Sequence, residues 1–188
     1  ELSMISDGLD INVWELIRLA NHHPRVNILQ PGPGVGGHCI AVDPWFIVAT
    51  SPERSSLIRT AREVNDAKPG FVLDQLLPPA KRLNDVQIAA LGLAFKPNID
   101  DLRESPARQI VGRLAEELPQ ANIMAVEPNI DELPSELAAR ENVTLTEIDE
   151  AVRTADIGLL LGDHNEFVRL DRSLLAQKIV HDTRGVWS

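Results

Sequence analysis

The only cysteine of the chain, Cys39, follows directly after a run rich in glycine and proline. Residues 31–37 read Pro-Gly-Pro-Gly-Val-Gly-Gly, and no regular element tolerates four glycines and two prolines in seven positions. Glycines let backbone N–H groups approach a ligand closely, and Asp43 adds a carboxylate four residues after the cysteine. The glycines that we expect at the ligand are Gly34, Gly36 and Gly37. The pattern predicts a shaped loop that presents a thiol and an acid to one small site.

A thiol becomes a useful nucleophile when backbone donors or a neighbouring cation stabilise its thiolate. His38 is the obvious neighbour of Cys39, but adjacent residues in an extended chain point to opposite sides. A Cys/His hydrolase dyad is therefore disfavoured. Two other interpretations stay open here: the glycine run could be an inert turn, and Cys39 could be buried as a small apolar residue, which is the commoner role of a lone cysteine.

Gly32 to Gly37 also match G-x-G-x-x-G, the spacing that binds dinucleotides in Rossmann folds. In that motif the third glycine opens a helix whose N-terminus holds the pyrophosphate. Here residues 38–46 bring β-branched residues and a proline at once, and no acidic residue is placed to hold a ribose. We therefore predict that extended chain, not a helix, follows Gly37 and that the loop is not an NAD fingerprint.

Composition and charge limit the classes of function. No apolar run approaches the roughly 18 to 20 residues that a membrane span needs, and no signal-peptide pattern is present, so we expect a cytoplasmic protein without membrane contact. A formal net charge of −10 argues against nucleic acid as a partner, because phosphate backbones are held by basic surfaces. A single cysteine excludes an internal disulfide and argues against a structural zinc site, so no metal is expected.

The first part of the chain predicts helices. Apolar residues spaced by three and four predict an amphipathic helix at residues 11–22 with Asp10 as its N-cap. A second helix is predicted at about 53–67, ended by Pro69, with a weaker helical stretch up to Pro78-Pro79. The first residues resemble the inside of a helix and carry no initiator Met, so we expect the chain to begin within a longer protein.

After the double proline, short β-rich runs alternate with helical stretches, which is typical of βαβ units and a parallel sheet. The predicted strands are residues 86–93, 122–126, 142–145, 157–161 and 179–181. The predicted helices are residues 105–118, 131–140, 147–155 (capped by Thr146) and 171–177. The fold class is therefore α/β: a helical central segment at 1–80, then a five-stranded, Rossmann-like sheet domain at 84–188 that binds ligands at the carboxyl ends of its strands.

Three motifs, in order, resemble one enzyme family. They are Pro31 to Pro44 around the cysteine, Gly92-Leu-Ala-Phe-Lys-Pro-Asn-Ile-Asp-Asp-Leu-Arg-Glu-Ser-Pro106 and Asp182-Thr-Arg-Gly185. Together they make essentially the whole chain similar to the UDP-glucose/UDP-mannose dehydrogenase family. His38 and Asp43-Pro44 resemble the branch that acts on UDP-N-acetylhexosamines, and His23-Pro-Arg-Val-Asn27 leans toward UDP-N-acetyl-D-mannosamine as the substrate.

The resemblance implies a two-step oxidation of the sugar C6 alcohol to a carboxylate, with two NAD molecules used in succession, in polysaccharide biosynthesis. Cys39 would capture the aldehyde as a thiohemiacetal and then hold the acid as a thioester, and Asp43 would position or deprotonate the water that cleaves it. The implied contacts of the nucleotide sugar are the loop glycines, His38, Phe95, Lys96 and Arg184, with Arg25 from a neighbouring subunit. Asp100 and Asp101 are interpreted as structural partners of Arg103, not as catalysts.

The same resemblance implies what the chain lacks. The family's dinucleotide domain and its catalytic lysine and asparagine would lie upstream of Glu1, so we expect this chain alone to oxidise nothing. The helices before residue 80 correspond to the dimer-forming element of the family, so a homodimer is expected. Three alternatives are kept: a nucleotide-sugar-binding and dimerising module without catalysis, a UDP-N-acetylglucosamine 6-dehydrogenase, and a complete small NAD-binding protein that uses Gly32 to Gly37.

Overall fold

The computed structural model describes residues 1–187, and the chain separates into two compact units, 1–32 and 33–188. In the first unit, α1 (Leu2–Gly8) and α2 (Val13–Ala20) pack against each other. Asn12 caps α2, because its side-chain oxygen accepts a hydrogen bond from the free N–H of Glu15 at 3.0 Å. The predicted cap was wrong: Asp10 lies before the helix with a φ of 55°.

One side chain closes the loop that follows α2. The amide of Asn21 donates through Nδ2 to the carbonyl of Ile28 at 2.9 Å, and its Oδ1 accepts from the Ile28 N–H at 2.7 Å. An amide that pairs with both backbone groups of one residue acts like a strand neighbour. The segment between them, which includes Arg25, is therefore held as a closed loop.

The second unit is an α/β domain, as the sequence predicts. Its helices are α3 (Asp43–Thr50), α4 (Ser56–Ala80), α5 (Pro106–Glu117), α6 (Ser135–Ala138), α7 (Ile148–Thr154) and α8 (Asn165–Val168), with a 3₁₀ helix at Arg172–Leu175. Its strands are β1 (Gln87–Leu91), β2 (Asn122–Val126), β3 (Val143–Leu145), β4 (Ile157–Leu160) and β5 (Ile179–Asp182). The strands form one parallel sheet in the order β3-β2-β1-β4-β5, and each lies within two residues of its predicted ends.

Both faces of the sheet are buried along its central strands β1, β2 and β4, which explains why these strands are almost wholly apolar, whereas Ile179 and Val180 of the edge strand β5 are exposed. Side chains alternate across a strand, so Ile88 and Ala90 of β1 join the core that α4 and α5 cover. Ala89 and Leu91 join a second core on the opposite face, together with residues of α7 and α8. The sheet is therefore the central layer of three.

Helix α4 is longer than the sequence predicts. It runs through Pro69 and includes Pro78 and Pro79, whereas the prediction ended it before Pro69 because proline removes a helical hydrogen bond and crowds the preceding turn. The helix continues because its second half is buried in the sheet core through Val72, Leu73, Leu76 and Ala80. Tertiary packing of this face outweighs the local cost of the prolines.

Smaller differences concern helix ends and lengths. The N-cap of α7 is Glu147, so the prediction of Thr146 was wrong. The predicted helix at 131–140 is only the single turn of α6, the one at 171–177 is the short 3₁₀ helix, and α8 was not predicted. Among the described residues, no helix combines the length and the apolar character that a membrane span requires.

Candidate functional site

Cys39 lies in a turn, not in extended chain. Its carbonyl oxygen accepts hydrogen bonds from the N–H groups of Val42 at 3.0 Å and Asp43 at 2.8 Å, and α3 begins at Asp43. The prediction of extended chain was wrong because Asp43-Pro44 is a helix start, where an acid is favourable and the missing N–H of proline costs nothing. The turn leaves the side chain of Cys39 exposed, which excludes the interpretation of a buried apolar cysteine.

The glycine loop before the cysteine does not fit a nicotinamide dinucleotide. In the dinucleotide fingerprint a strand precedes the loop and the third glycine opens the helix directly. Here only helices precede the loop in the described chain, and residues 38–42 form a turn before α3. The expected absence of a helix after Gly37 was thus only partly right, since a helix follows one turn later.

The glycines of this loop lie against the protein itself. A Cβ on Gly37, whose φ is +95°, would stand 2.9 Å from Cε2 of Phe95, and one on Gly36 would collide with the carbonyl oxygen of Glu104. The N–H of Gly37 donates to the carbonyl of Arg103 at 3.2 Å, so it is already engaged. The absence of a side chain at Gly37 lets the loop pack closely against the Phe95 ring. This packing brings the cysteine turn to the end of β1.

Helix α4 holds the loop through side chains that the sequence reading missed. The Asn65 amide accepts from the Val35 N–H at 2.7 Å and donates to the Val35 carbonyl at 3.1 Å. Arg62, which is paired with Asp66 at 2.6 Å, donates to the carbonyl of Ile40 beside the cysteine at 3.4 Å. An asparagine inside a helix is a weak helix former, and that was the available signal for Asn65.

Four of the predicted substrate residues line one small cleft at the carboxyl ends of β1 and β4. They are Gly34, Phe95, Lys96 and Arg184. The cleft encloses only about 10 Å³, far below the roughly 300 Å³ or more of typical small-molecule sites. The Arg184 guanidinium is paired with Asp163 at 2.7 Å, and the exposed Lys96 ammonium lies 5.6 Å from the Phe95 ring centre.

Asp101 and Arg103 form the structural pair that the sequence predicts. The guanidinium contacts both carboxylate oxygens of Asp101, at 2.6 to 3.1 Å. Hydrogen bonds from Arg103 lower the pKa of Asp101 to about 2. The pKa of Arg103 is raised, first by the hydrogen bond to Asp101 and to a lesser extent by nearby Cys39. Arg103 is therefore a cation within electrostatic range of the thiol, a role for which the sequence analysis considered only His38 and disfavoured it.

A buried carboxylate–imidazole pair lies beneath the Phe95 loop, and the sequence reading did not include it. Glu127 follows β2, His164 follows β4, and both side chains are 0% exposed. His164 Nε2 lies 3.0 Å from Glu127 Oε2. Burial alone raises the pKa of Glu127, but hydrogen bonds from His164 and from the Leu93 N–H outweigh it, and the pKa lies below its ordinary value. Polar residues at strand ends were the signal that could have found them.

His38 and Arg25 are the remaining residues that were predicted to contact the nucleotide sugar. His38 is exposed in the cysteine turn and lies within electrostatic range of Asp101. Arg25 belongs to the first unit, where its N–H donates to Nδ1 of His23 at 3.2 Å, and its role stays a prediction. Among residues 1–187, no three His, Cys, Asp or Glu side chains are grouped to hold a metal ion.

Two domain models of one family match this chain. The central domain matches residues 1–67, and the UDP binding domain matches residues 89–188. The chain belongs to the UDP-glucose/GDP-mannose dehydrogenase family. The resemblance seen in the sequence is confirmed, except that the mannose nucleotide in the family's description is GDP-mannose. The predicted domain bounds, 1–80 and 84–188, stay a prediction.

Individual relatives are more specific than the family description. The chain is 55% identical to UDP-N-acetyl-D-mannosamine dehydrogenase of Escherichia coli (strain K12), over 100% of this chain and 46% of that protein. It is 57% identical to NDP-N-acetyl-D-galactosaminuronic acid dehydrogenase of Ralstonia solanacearum, over 100% of this chain and 44% of that protein. The chain thus spans less than half the length of these relatives.

Solved structures agree with the fold. A UDP-N-acetyl-mannosamine dehydrogenase from S. aureus matches with a TM-score of 0.79 at 41% identity, over 98% of this chain and 43% of that one. A UDP-D-ManNAc dehydrogenase from Pyrococcus horikoshii matches with a TM-score of 0.81 at 30% identity, with the same coverage. The arrangement of helices and parallel sheet is therefore that of UDP-sugar dehydrogenases.

Proposed function

We propose that this chain is the part of an NAD-dependent UDP-N-acetyl-D-mannosamine 6-dehydrogenase that binds the nucleotide sugar and carries the nucleophile. The observation that carries the proposal is the exposed Cys39 in a turn packed on the Phe95 loop, with Asp43 at the start of the helix that follows this turn. The similarity to UDP-N-acetyl-D-mannosamine dehydrogenase supports the substrate. The remainder of the protein holds the dinucleotide, since the loop at 32–37 does not fit one.

The proposed chemistry uses a thiol and a carboxylate that are four residues apart in the chain. The Cys39 sulfur adds to the C6 aldehyde of the half-oxidised sugar, which forms a C–S bond and a thiohemiacetal that cannot diffuse away. Oxidation of that carbon gives a thioester, and a water oriented by Asp43 cleaves it to the free acid and the thiol. A nicotinamide dinucleotide would accept the hydride in each of the two oxidations.

The nucleotide part needs local cations on a chain whose formal net charge is −10. Lys96 and Arg184 line the cleft beside Phe95, and we expect these two cations to bind the diphosphate. Binding must open this cleft and exchange the Asp163 carboxylate on Arg184 for the ligand. A homodimer, with Arg25 reaching the neighbouring subunit, and a cytoplasmic role in polysaccharide biosynthesis belong to the same proposal.

A second candidate substrate has an observation in its favour. The relative named for N-acetyl-D-galactosaminuronic acid is slightly more similar, at 57% identity, than the mannosamine enzyme at 55%. Another UDP-N-acetylhexosamine, including UDP-N-acetylglucosamine, is therefore the alternative substrate. A binding module without catalysis is disfavoured, because it would have no use for an exposed cysteine with an acid four residues further along the chain.

The decisive assay uses the protein expressed from the complete reading frame. NADH formation is measured with UDP-N-acetyl-D-mannosamine, UDP-N-acetylglucosamine and UDP-N-acetylgalactosamine, and turnover with the first should exceed that with the others. Cys39→Ala should abolish acid formation, and Asp43→Asn should accumulate a thioester on Cys39 detectable by mass spectrometry. Turnover by Cys39→Ala at the wild-type rate would overturn the proposal.

Calorimetry on the present chain separates the alternatives. A chain that holds the nucleotide sugar should bind UDP and show no heat with NAD. Heat with NAD and none with UDP would instead support a small dinucleotide-binding protein.

A further inference from the structure

We infer that Glu127 and His164 are positioning residues, which fix the loop carrying Phe95 and Lys96 in the shape that receives the nucleotide sugar. The inference rests on the proposed function. Neither side chain reaches the cleft, and both act through the backbone of residues 93–98. The two residues come from the ends of different strands, β2 and β4, so the loop is held by both neighbours of β1.

The first anchor is at the start of the loop. One carboxylate oxygen of Glu127 accepts from the N–H of Leu93 at 2.8 Å and from the N–H of Ala94 at 2.9 Å. Hydrogen bonds to an ionised acceptor are about twice as strong as neutral ones, and here they are buried. The two donors directly precede Phe95, so Glu127 sets the direction in which the chain leaves β1.

The second anchor is at the end of the loop. The N–H of Asn98 donates to Nδ1 of His164 at 2.8 Å. Because Nδ1 accepts this bond, the ring proton lies on Nε2, which donates to Glu127 and ties the two anchors together. Asn98 has a left-handed φ of 59°, and its side-chain oxygen accepts from the Asn165 N–H at 3.0 Å. This bent conformation is held from two sides.

The burial of the pair argues for a role beyond cohesion of the fold. A carboxylate and an imidazole removed from water cost free energy, and apolar side chains of similar size could fill the same space. Here the polar atoms are directed at the backbone of one loop, and Asn129 adds a hydrogen bond to the second Glu127 oxygen at 3.0 Å. A network that is fully bonded specifies one backbone shape, which a site with two substrate residues requires.

The experiment compares Glu127→Gln with a matched core variant, Leu114→Ala, in the present chain. Leu114 is fully buried in α5 and does not line the cleft, so its truncation should lower the melting temperature without removing a hydrogen bond of the loop. Amide hydrogen exchange of Leu93, Ala94 and Asn98 is followed by NMR, and the Kd for UDP is measured by calorimetry. Glu127→Gln should speed exchange at these amides and raise the Kd about tenfold, whereas Leu114→Ala should leave both within about twofold.

Two more variants keep the test decisive. Asn129→Ala removes the side-chain hydrogen bond to Glu127 and a 3.3 Å contact with Nδ1 of His164, both made by an exposed residue, so it should fold and give a smaller change in the same direction. Glu127→Asp keeps the carboxylate and should restore part of the affinity that Glu127→Gln loses. If the pair only stabilised the fold, Asn129→Ala would not raise the Kd for UDP, and Glu127→Asp would not bind UDP more tightly than Glu127→Gln.

The outcomes separate this inference from the proposed function. Unchanged exchange at the three amides in Glu127→Gln overturns the inference, and so does an unchanged Kd when exchange is faster. A wild-type chain that binds no UDP contradicts the proposed function instead, and the amide exchange then still decides whether the pair holds the loop.

Discussion

Gly37 illustrates how a single residue sets the position of the thiol turn. Its φ of +95° is unfavourable for any residue with a Cβ, and the space that a Cβ would need is taken by the Phe95 ring. A side chain at position 37 would therefore be both conformationally strained and in steric overlap with Phe95. The glycine is required by contact within the protein, whereas the sequence alone suggested contact with a ligand.

Gly37→Ala is expected to lower the free energy of unfolding by about 1–3 kcal/mol and to displace the cysteine turn, because strain and steric overlap add. Urea unfolding measures the first effect and alkylation of Cys39 by iodoacetamide the second. Gly112→Ala in α5 is the control, since its nearest contact would be 3.7 Å and alanine favours helices, so a gain of up to about 1 kcal/mol is expected. Equal stability of both variants would contradict the packing on Phe95.

Asp101 gives a second prediction at this scale. Hydrogen bonds from Arg103 lower the pKa of Asp101 from 3.8 to about 2, so the pair is complete above pH 3.8 and is lost as the pH falls toward 2. Carboxyl ¹³C shifts followed by NMR should show a midpoint near 2. In Arg103→Gln the midpoint should return toward 3.8, and a wild-type midpoint already at that value would argue against the pair.

Sequence reasoning predicted the places of Phe95 and Lys96 and the Asp101–Arg103 pair, but it missed the buried residues that hold the loop after β1. Phe95 and Lys96 could be placed because a parallel sheet presents the ends of its strands at one edge. Glu127 and His164 lie at the same edge, yet their bonds go to backbone N–H groups of a distant loop, and no spacing along the chain encodes such a partner.

At the scale of elements, α4 has two roles. Its first half holds the glycine loop through Arg62 and Asn65, and its second half is part of the sheet core. The helix is continuous across Pro69, so it joins these two regions although the proline removes one bond of the helical ladder. The placement of the cysteine turn therefore depends on the packing of α4.

Asn65→Ala tests this connection. Loss of both hydrogen bonds to the Val35 backbone should cost about 1–2 kcal/mol and should speed amide exchange at Val35. The exposed Glu63 of the same helix provides the control, and Glu63→Ala should change stability by less than about 0.5 kcal/mol. If the Val35 amide exchanged equally slowly in both variants, the two hydrogen bonds from Asn65 would not stabilise the loop.

The five strands were predictable, whereas α3, α8 and the end of α4 were not. Runs of β-branched and apolar residues between turn signals placed all five strands, because a parallel sheet buries both faces. The end of α4 was missed because buried contacts overrode Pro69, and α3 was missed because the β-branched residues and the proline after Gly37 were interpreted as extended chain, whereas Asp43-Pro44 is a helix start. Packing decided the first case, and cap chemistry the second.

At the scale of the whole molecule, the buried Glu127 links stability to acidity. Its pKa in the folded protein lies below the ordinary 4.5, so its contribution is present above pH 4.5 and is lost as the pH falls through the lower folded value. The free energy of unfolding should therefore fall more steeply below pH 4.5 in the wild type than in Glu127→Gln. Urea unfolding at a series of pH values measures both slopes, and parallel curves would contradict the linkage.

The burial of α4 against the sheet limits how this polypeptide can be cut. A piece excised at residue 84 would retain every strand but lose Val72, Leu73, Leu76 and Ala80. The apolar surface left bare would favour aggregation, because large exposed apolar patches drive association. A recombination event that transplants the sheet to another protein must therefore carry the preceding helix with it.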